Sequence, residues 1–299
     1  MTKILVTGAS GFIGKALVEK FLKQGHDITG LSSTDGDIAE AETLKALAGT
    51  RFKHVIHLAG RSYVPDSWGN PVLFYRTNVI GTANVLEFCR TFTLPVTFVS
   101  AYVYGQPASL PISEDCPVRP NNPYAHSKYM AEKLCKFYAE EHNLDITVIR
   151  PFNIYGADQK NWFLVPSVIK QVLYEDSIIV RDLHPKRDYL YLEDFIEAVC
   201  LMLKEPHGYR VYNIGSGTSI SVEQVIETVQ NIYSCQKKII CEFQSRKNEI
   251  DDVIADISRA KRELGWIPRH SFSDGIQKVL TWELLRQTSG KSSHTDQQG

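Results

Sequence analysis

The fold is decided by Lys3-Ile4-Leu5-Val6-Thr7-Gly8-Ala9-Ser10-Gly11-Phe12-Ile13-Gly14. Residues 3–7 have the apolar character of a buried strand, and residues 12–24 have the periodicity of a helix. Glycines between a strand and a helix permit a tight turn, and they let a pyrophosphate approach the N–H groups of the helix N-terminus. The spacing is G-x-x-G-x-x-G, so the stretch predicts dinucleotide binding, with a merely structural turn as the alternative.

The first half of the chain alternates between short β-rich runs and helical stretches. We predict strands at residues 3–7, 27–31, 54–58, 96–100 and 146–150. We predict helices at residues 12–24, 39–48 and 124–142, together with a long helix that ends near Phe92. Repeated βαβ units require a parallel sheet covered on both faces, with right-handed crossovers.

We therefore expect an α/β protein, a Rossmann-type doubly wound parallel sheet with a smaller, discontinuous C-terminal substrate lobe. The dinucleotide-binding domain is expected over residues 1–155, and residues 186–214 are expected to return to it. Residues 156–299 form mainly the substrate lobe, with a polar tail from about residue 289. In this half we predict helices at residues 166–173, 192–203, 221–232 and 272–286. Ser221 and Gln224 form a predicted capping box.

Composition indicates an ordinary globular protein. The 299 residues are 43% hydrophobic and 22% charged, with a net charge of −1, so the sequence shows no electrostatic footprint for nucleic acid or a membrane surface. Six scattered cysteines and nine histidines show no metal-ligand spacing. No apolar run approaches the roughly 18 residues of a membrane span. We expect a cytoplasmic protein with reduced thiols and no metal.

A tyrosine and a lysine stand four residues apart in Pro123-Tyr124-Ala125-His126-Ser127-Lys128. On a helix these positions share one face, with Cβ atoms roughly 5–6 Å apart. A phenol ionises near pH ~10, and a neighbouring fixed cation is one of the few groups able to lower that pKa substantially. The pair predicts a catalytic tyrosine, with an incidental pair on a surface helix as the alternative.

The end of the second predicted strand leaves the cofactor open between NAD and NADP. There the chain reads Leu31-Ser32-Ser33-Thr34, where many NAD-binding proteins place an acid that binds the ribose 2′-hydroxyl. Hydroxyl groups tolerate a 2′-phosphate, but no arginine stands beside them. Asp35 or Asp37 is able to replace the expected acid, and a turn without a ligand role is the remaining alternative.

Further motifs extend over nearly the whole chain. They are His57-Leu58-Ala59-Gly60, Thr77-Asn78-Val79-Ile80-Gly81-Thr82, Ser100-Ala101-Tyr102-Val103-Tyr104-Gly105, Arg150-Pro151-Phe152-Asn153-Ile154-Tyr155-Gly156, Arg187-Asp188-Tyr189 and Ala260-Lys261-Arg262-Glu263-Leu264-Gly265-Trp266. Together with the glycine turn and the Tyr124–Lys128 pair, the chain resembles the extended short-chain dehydrogenase/reductase family. Within it, the chain is similar to the NAD-dependent epimerase/dehydratase branch, which modifies nucleotide sugars.

The resemblance implies roles for individual residues. Ser100 and Tyr124 would hydrogen-bond the reacting sugar oxygen, Tyr124 would move its proton, and Lys128 would lower the tyrosine pKa and hold the nicotinamide ribose. The implied cofactor-binding residues are Gly8, Ser10, Gly11, Phe12, Ile13, Gly14, Ser32, Asp37, Ile38, Leu58, Ala59, Gly60, Asn78, Tyr124, Lys128 and Pro151. The implied substrate-binding residues are Ser62, Ser100, Ala101, Tyr102, Asn153, Arg187, Arg246 and Glu249. Tyr102 is equally consistent with a buried aromatic whose hydroxyl is satisfied. For Arg187 and Arg246 the alternative is a solvated surface charge.

Two enzyme functions at C4 of the sugar follow from the resemblance. Ala101-Tyr102 stand where dehydratases carry an Asp-Glu pair, which disfavours dehydration. The short link from the second strand to Asp37 and the stretch Ala59-Gly60-Arg61-Ser62-Tyr63-Val64-Pro65 favour NAD(P)H-dependent reduction of a nucleoside-diphosphate 4-keto-6-deoxyhexose. The alternative is a 4-epimerase of a nucleoside-diphosphate hexose, and a non-catalytic dinucleotide-binding regulator is a remote third.

The expected cofactor depends on which of these reactions the chain catalyses. NADP(H) is somewhat favoured for a reductase, and tightly bound NAD for an epimerase. A nucleotide-diphosphate sugar is the expected substrate. The helices around residues 78–92 and 124–142 pair across a two-fold axis in relatives, so a homodimer is expected.

Overall fold

The computed structural model describes residues 2–204, 208–244 and 249–291. Its strands are β1 (Lys3–Thr7), β2 (Asp27–Leu31), β3 (His54–His57), β4 (Val96–Val99), β5 (Ile146–Pro151), β6 (Asn153–Tyr155), β7 (Ser177–Val180), β8 (Lys186–Arg187), β9 (Tyr189–Tyr191), β10 (Tyr209–Ile214), β11 (Ile220–Ser221) and β12 (Lys238–Cys241). Its helices are α1 (Phe12–Lys23), α2 (Ala41–Lys45), α3 (Val64–Gly69), α4 (Pro71–Tyr75), α5 (Gly81–Phe92), α6 (Pro123–His142), α7 (Leu164–Tyr174), α8 (Leu192–Met202), α9 (Val222–Tyr233), α10 (Ser258–Leu264) and α11 (Phe272–Lys291). A π-helical turn, Arg76–Ile80, joins α4 to α5.

Six strands form one parallel sheet in the order β10-β5-β4-β3-β1-β2. Every residue of β3 and β4 is buried, as expected for central strands covered on both faces. After β2 the chain crosses back over β1 to form β3, so the strand order reverses between β1 and β3. In such sheets a ligand binds in the crevice beyond the carboxyl ends of the strands at this switch point. The predicted α/β class with a doubly wound parallel sheet is confirmed.

Two hydrophobic clusters cover the two faces of the sheet. On one face, Phe21 of α1 and Phe195 of α8 pack with Trp266. On the other face, Leu86 of α5 and Cys135 of α6 pack in the second cluster. Both α5 and α6 are therefore fixed against the sheet along their inner sides.

The C-terminal part forms a third cluster of buried residues. Helices α7, α9 and α11 pack there around a parallel pair of strands, β7 and β12. The predicted capping box at Ser221 and Gln224 is present at the start of α9. Strand β10 returns to the main sheet beside β5, as predicted for residues around 209–214. Strands β8 and β9 instead pair with β11 and β6, outside that sheet. The domain division near residue 155 stays a prediction.

The prediction of one long helix that ends near Phe92 is wrong, although α5 does end at Phe92. The helical segment is divided into α3, α4, the π-helical turn and α5. Pro65 and Pro71 each stand in the first turn of a short helix, where proline starts a helix and does not continue one. The side chain of Asn70 caps α4 by accepting a hydrogen bond from Leu73 N (3.3 Å). The π-helical turn contains Asn78, which is buried.

Other differences are smaller. The helix predicted over residues 39–48 covers only Ala41–Lys45, and the short strands β6, β7, β8, β11 and β12 have no clear sequence periodicity. Of the polar tail predicted from about residue 289, residues 289–291 belong to α11, and the remainder lies outside the described residues. Within the described ranges, no helix is both long and apolar enough to cross a membrane.

Candidate active site

The glycine turn lies at the carboxyl end of β1, beside the strand-order switch. Gly8 has a φ of +73°, which disfavours any side chain, and a Cβ there would stand 2.7 Å from the Ala59 nitrogen. A Cβ on Gly14 would stand 2.2 Å from the Gly8 carbonyl oxygen. The first turn of α1 contains no acidic residue, so its N–H groups present an unopposed positive dipole end. This cradle fits the pyrophosphate of a dinucleotide and brings together the predicted residues Gly8, Ser10, Gly11, Phe12, Ile13 and Gly14.

The loop after β2 carries its own carboxylate. Asp35 accepts hydrogen bonds from Ser32 N (2.8 Å) and Ser32 Oγ (2.7 Å), and these bonds lower the pKa of Asp35. The predicted cofactor residue Ser32 therefore stands beside a negative charge that the sequence supplies three positions later. Asp37 forms an ion pair with Arg76, with 3.2 Å between Asp37 Oδ2 and Arg76 Nη2. Ile38 is buried and lies against Gly81 at the start of α5.

Asn78 joins the loop after β3 to the helix that carries the predicted catalytic pair. Its Oδ1 accepts from Arg61 N (2.8 Å), and its Nδ2 donates to Arg61 O (3.0 Å) and Ser127 Oγ (2.9 Å). A Cβ on Gly60 would lie 3.0 Å from Asn78 Oδ1 and 3.7 Å from Lys128 Nζ. The stretch Leu58-Ala59-Gly60 thus lies between the glycine turn and Lys128.

His57 is a structural residue of this edge of the sheet. It is buried, and its ring nitrogens contact Thr7 Oγ1 (2.7 Å) and Thr82 Oγ1 (3.0 Å). Burial and the nearby Lys128 cation lower the pKa of His57 to about 3, so the ring is neutral at ordinary pH. Because both nitrogens contact threonine hydroxyls, His57 is a satisfied, buried residue of this edge of the sheet.

Tyr124 and Lys128 lie one helical turn apart on α6, as predicted. Asn122 caps this helix by accepting from Ala125 N (2.9 Å), and Pro123 begins its first turn. Lys128 is buried, with Nζ 4.3 Å from the centre of the Phe98 ring. Burial lowers the pKa of Lys128 to about 8, while the Cys135 and Glu132 side chains act in the opposite direction. Lys128 is therefore an ammonium at neutral pH, and it loses its proton in mildly alkaline solution.

Tyr124 is partly buried, with its ring 6.4 Å from that of Phe74 in an edge-on contact. Burial raises the pKa of Tyr124 in the protein alone. This direction is opposite to the lowering that the family resemblance implies. The phenol is therefore protonated at neutral pH and suited to donate a proton to a sugar oxygen.

Ser100 follows β4 and is buried in a polar network beneath the site. Its hydroxyl donates to Glu132 Oε1 (2.5 Å), and Arg150 holds the same carboxylate through Nε and Nη2. Arg150 Nη1 then donates to the hydroxyl of Tyr104 (2.8 Å). Our reading of the sequence missed the role of Glu132, although its position four residues after Lys128 on α6 was visible.

The residues near Ser100 are placed as follows. Ala101 is buried, and Pro151 is partly buried at the end of β5. The Tyr102 hydroxyl donates to Gly105 O (2.6 Å), and its ring packs edge-on against Phe152 at 5.6 Å. The Tyr102 hydroxyl is therefore satisfied within its own loop, while the ring is half-buried, and a contact of Tyr102 with the sugar stays a prediction.

The remaining predicted substrate residues are Ser62, Asn153, Arg187, Glu249 and Arg246. Arg187 donates to Glu249 in an ion pair and to Ile250 O (2.6 Å). Two of the predicted substrate residues, Arg187 and Glu249, are therefore paired with each other. Arg187 also lies within electrostatic reach of Tyr102. Asn153 and Ser62 are exposed. Arg246 lies outside the described residues.

One aromatic cluster was not predicted. The Tyr63 ring lies 5.6 Å from Trp162 and 6.2 Å from Phe163, which joins the loop after β3 to the segment before α7. Trp162 is 56% exposed. Among the described residues, no group of three or more His, Cys, Asp or Glu side chains is placed to hold a metal ion.

Comparison with known proteins finds relatives over nearly the whole chain. A family model described as the NAD dependent epimerase/dehydratase family matches residues 4–215. GDP-6-deoxy-D-mannose reductase of Pseudomonas aeruginosa is 31% identical, over 94% of this chain and 97% of its own length. A solved structure of RMD from Pseudomonas aeruginosa complexed with NADPH has a TM-score of 0.87 at 30% identity, covering 95% of this chain and 100% of that one. UDP-glucose 4-epimerase from Thermotoga maritima with UDP-glucose has a TM-score of 0.89 at 27% identity, covering 96% and 100%.

Lys128 is predicted to bind the dinucleotide in a pH-dependent way. The ammonium is present below its pKa of about 8 and is lost as the pH rises, so NADH or NADPH affinity should fall above pH 8. Lys128→Ala should weaken that affinity by roughly tenfold at pH 7, about 1.4 kcal/mol, and flatten the pH dependence. Titration of cofactor fluorescence measures both, with Lys133→Ala on the exposed side of α6 as the control. Equal affinities for the wild type and Lys128→Ala would remove Lys128 from the cofactor site.

Proposed function

This chain belongs to the NAD dependent epimerase/dehydratase family, and on that premise we propose that it is a nucleotide-sugar oxidoreductase acting at C4 of the hexose. The observation that carries the proposal is the buried Lys128 ammonium, one helical turn after Tyr124 on α6, with its Nζ 3.7 Å from where a Cβ on Gly60 would stand, in the loop that meets the glycine turn. A binding protein without catalytic activity would not need a buried ammonium, a phenol and a hydroxyl beside a dinucleotide cradle.

The chemistry follows from these groups. The bound dinucleotide supplies a hydride to the sugar carbon or accepts one from it. The charge that this transfer creates at the sugar oxygen must be matched by a proton. Tyr124 donates its hydroxyl proton to that oxygen during reduction and takes it back during oxidation. The Lys128 ammonium stabilises the phenolate that Tyr124 becomes after it has donated the proton.

We favour reduction of a nucleoside-diphosphate 4-keto-6-deoxyhexose with NAD(P)H. Ala101 and Tyr102 offer neither an acid nor a base beside Ser100, so elimination of water has no proton-transfer groups at that position. The similarity to GDP-6-deoxy-D-mannose reductase over nearly the full length of both chains supports the same reaction class.

A 4-epimerase is the second candidate, and one observation favours it. The Asp35 carboxylate stands at Ser32, at the end of β2, where the adenosine ribose is expected. A negative charge there disfavours a 2′-phosphate and so favours NAD. In an epimerase the cofactor is regenerated in each cycle, so a retained NAD is sufficient. The similarity to UDP-glucose 4-epimerase from Thermotoga maritima is consistent with this reaction.

A product analysis decides between these reactions. Purified protein is incubated with a panel of nucleotide sugars and their 4-keto-6-deoxy derivatives, with NADH, with NADPH and without added cofactor, and the products are analysed by mass spectrometry. We expect a 4-keto sugar to gain two hydrogens, with equal consumption of reduced cofactor. A product of unchanged mass, formed without added cofactor, means epimerisation. Stoichiometric cofactor binding without turnover of any sugar would refute the enzyme proposal.

We also propose a cytoplasmic homodimer that associates through α5 and α6. These helices contact each other, with the Tyr138 hydroxyl 3.3 Å from Glu87 Oε2, and both present apolar side chains outward. Phe92 and Met130 are each 40% exposed, and Phe137 is 54% exposed. A two-fold axis would bury these side chains against their own copies. The cysteines of the chain are free thiols, which supports the cytoplasm as the location.

The dimer is tested by replacing two of these side chains. Met130→Glu/Phe137→Glu should convert the dimer into a monomer, because a self-complementary interface would then bury four unpaired carboxylates across its axis. Sedimentation velocity measures the mass, with Leu285→Glu, an exposed leucine on α11, as the control. A wild-type protein that sediments as a monomer at micromolar concentration would contradict the proposal.

A further inference from the structure

The aromatic cluster of Tyr63, Trp162 and Phe163 joins two segments that are far apart in the sequence. Tyr63 lies in the loop after β3, and the other two residues lie directly before α7. The Tyr63 ring is 5.6 Å from the Trp162 ring, which in turn is 6.4 Å from the Phe163 ring. An aromatic contact of this kind either holds two loops together or presents its rings to a ligand.

The Tyr63 end of the cluster lies beside the catalytic helix. Tyr63 follows Gly60 by three residues, and a Cβ on Gly60 would stand 3.7 Å from Lys128 Nζ. Three residues of extended chain span at most about 11 Å, so the Tyr63 backbone stays close to that point. Helix α3, which begins after Tyr63, packs against α6. A sugar ring held with its C4 at Tyr124 and Lys128 is therefore within reach of the Tyr63 side chain.

The Trp162 end of the cluster belongs to a segment that starts at the dinucleotide cradle. A Cβ on Gly156 would lie 3.4 Å from Cζ of Phe12, the first residue of α1. Asp158 forms an ion pair with Lys15 of the same helix over 3.1 Å. The segment then meets the loop after β3 through the aromatic contact. Because α1 and that loop follow the neighbouring strands β1 and β3, the segment crosses the crevice at the switch point of the sheet.

The rings keep surface and polar groups that a ligand is able to use. Trp162 is 56% exposed, whereas Tyr63 and Phe163 are partly buried. Within the described ranges, neither the Tyr63 hydroxyl nor Trp162 Nε1 makes a hydrogen bond. The Lys160 ammonium lies 5.9 Å from the centre of the Trp162 ring. A contact that served packing alone would bury its largest ring, and here the largest ring is the most exposed of the three.

A hexose ring matches this surface. One face of such a ring presents C–H groups that pack on an aromatic ring, and its hydroxyls need hydrogen-bond partners at the edge. Tyrosine and tryptophan offer an apolar face and a polar group together. A nucleobase also stacks on aromatic rings, but the diphosphate separates it from the sugar carbon that meets Tyr124. The position of Tyr63 beside Lys128 therefore favours the sugar over the base.

We infer that Tyr63, Trp162 and Phe163 form a binding subsite for the hexose ring of the substrate, with Trp162 packed on the apolar face of that ring. The inference rests on the proposed function, in which the hexose carries the reacting carbon. The subsite recognises the sugar and not the nucleotide. It contributes to substrate affinity by covering the apolar face of the ring, and it takes no part in proton transfer.

The test compares each nucleotide sugar with the same nucleotide without its sugar. UDP-glucose and UDP, GDP-mannose and GDP, and dTDP-glucose and dTDP are titrated calorimetrically in the presence of NADH or NADPH. These sugars carry no ketone, so the reduced cofactor does not react with them and binding alone is measured. We expect Trp162→Ala to weaken the best-bound nucleotide sugar by roughly tenfold and its sugar-free nucleotide by less than about twofold.

Three further variants define the subsite. Tyr63→Ala should show the same selective loss as Trp162→Ala, while Trp162→Phe, which keeps an aromatic ring, should stay within about threefold of the wild type. Leu22→Ala is the matched control, because Leu22 is also 56% exposed and lies near the opposite end of α1 from the cradle. It should bind both ligands as the wild type does. Melting temperatures confirm that each variant is folded.

The contrary results are distinct. Equal losses for a nucleotide sugar and its sugar-free nucleotide would place the rings at the base or the diphosphate, and unchanged affinities would leave them with a packing role. Weaker binding of NADH or NADPH, with sugar affinity unchanged, would place them at the cofactor. Each of these results overturns the inference.

The outcome is separable from that of the proposed function. A selective loss of sugar affinity in Trp162→Ala, in a protein that turns over none of the nucleotide sugars or their 4-keto derivatives, contradicts only the proposed reaction. Turnover of a 4-keto sugar with the same KM in the wild type and in Trp162→Ala overturns only the subsite.

Discussion

The structure depends on the close approach of three backbone segments at the switch point of the sheet. A single methyl group at Gly8 would overlap the backbone of Ala59, and one at Gly14 would overlap the Gly8 carbonyl. Glycine at both positions lets β1, α1 and the loop after β3 meet without side chains between them. The result is a cradle of backbone N–H groups that suits an anionic ligand.

The catalytic helix is joined to this cradle by polar contacts. Asn78, which lies in the π-helical turn, bonds to Arg61 on one side and to Ser127 on the other. The adjacent residue, Lys128, then lies under the loop that follows β3. Burial of an ammonium is costly and lowers the pKa of Lys128, although the Phe98 ring beneath Nζ offsets part of that cost. The site therefore maintains a charged group that responds to the pH of its surroundings.

The sequence predicted the central sheet because its strands are apolar runs and its turns carry glycine or proline. The Tyr124–Lys128 pair was visible because helical spacing depends only on local geometry. The orientation of Ser100 was not predictable, since it depends on Glu132 and Arg150, which come from a helix and a strand that meet only in the folded chain. The direction of the Tyr124 pKa also follows from burial, which no local pattern reveals. Likewise, proline at positions 65 and 71 indicates the start of a new helix at each, whereas no residue pattern indicates the π-helical turn.

The central claim is that Tyr124 transfers the proton to and from the sugar oxygen beside the bound dinucleotide. Tyr124→Phe measures this most directly, because it removes one oxygen atom and preserves the ring. We expect turnover of the nucleotide sugar to fall by about 10²-fold or more while dinucleotide affinity stays nearly unchanged. Tyr129→Phe, one position away from the catalytic face, should keep the wild-type rate. A Tyr124→Phe protein with wild-type turnover would contradict the account.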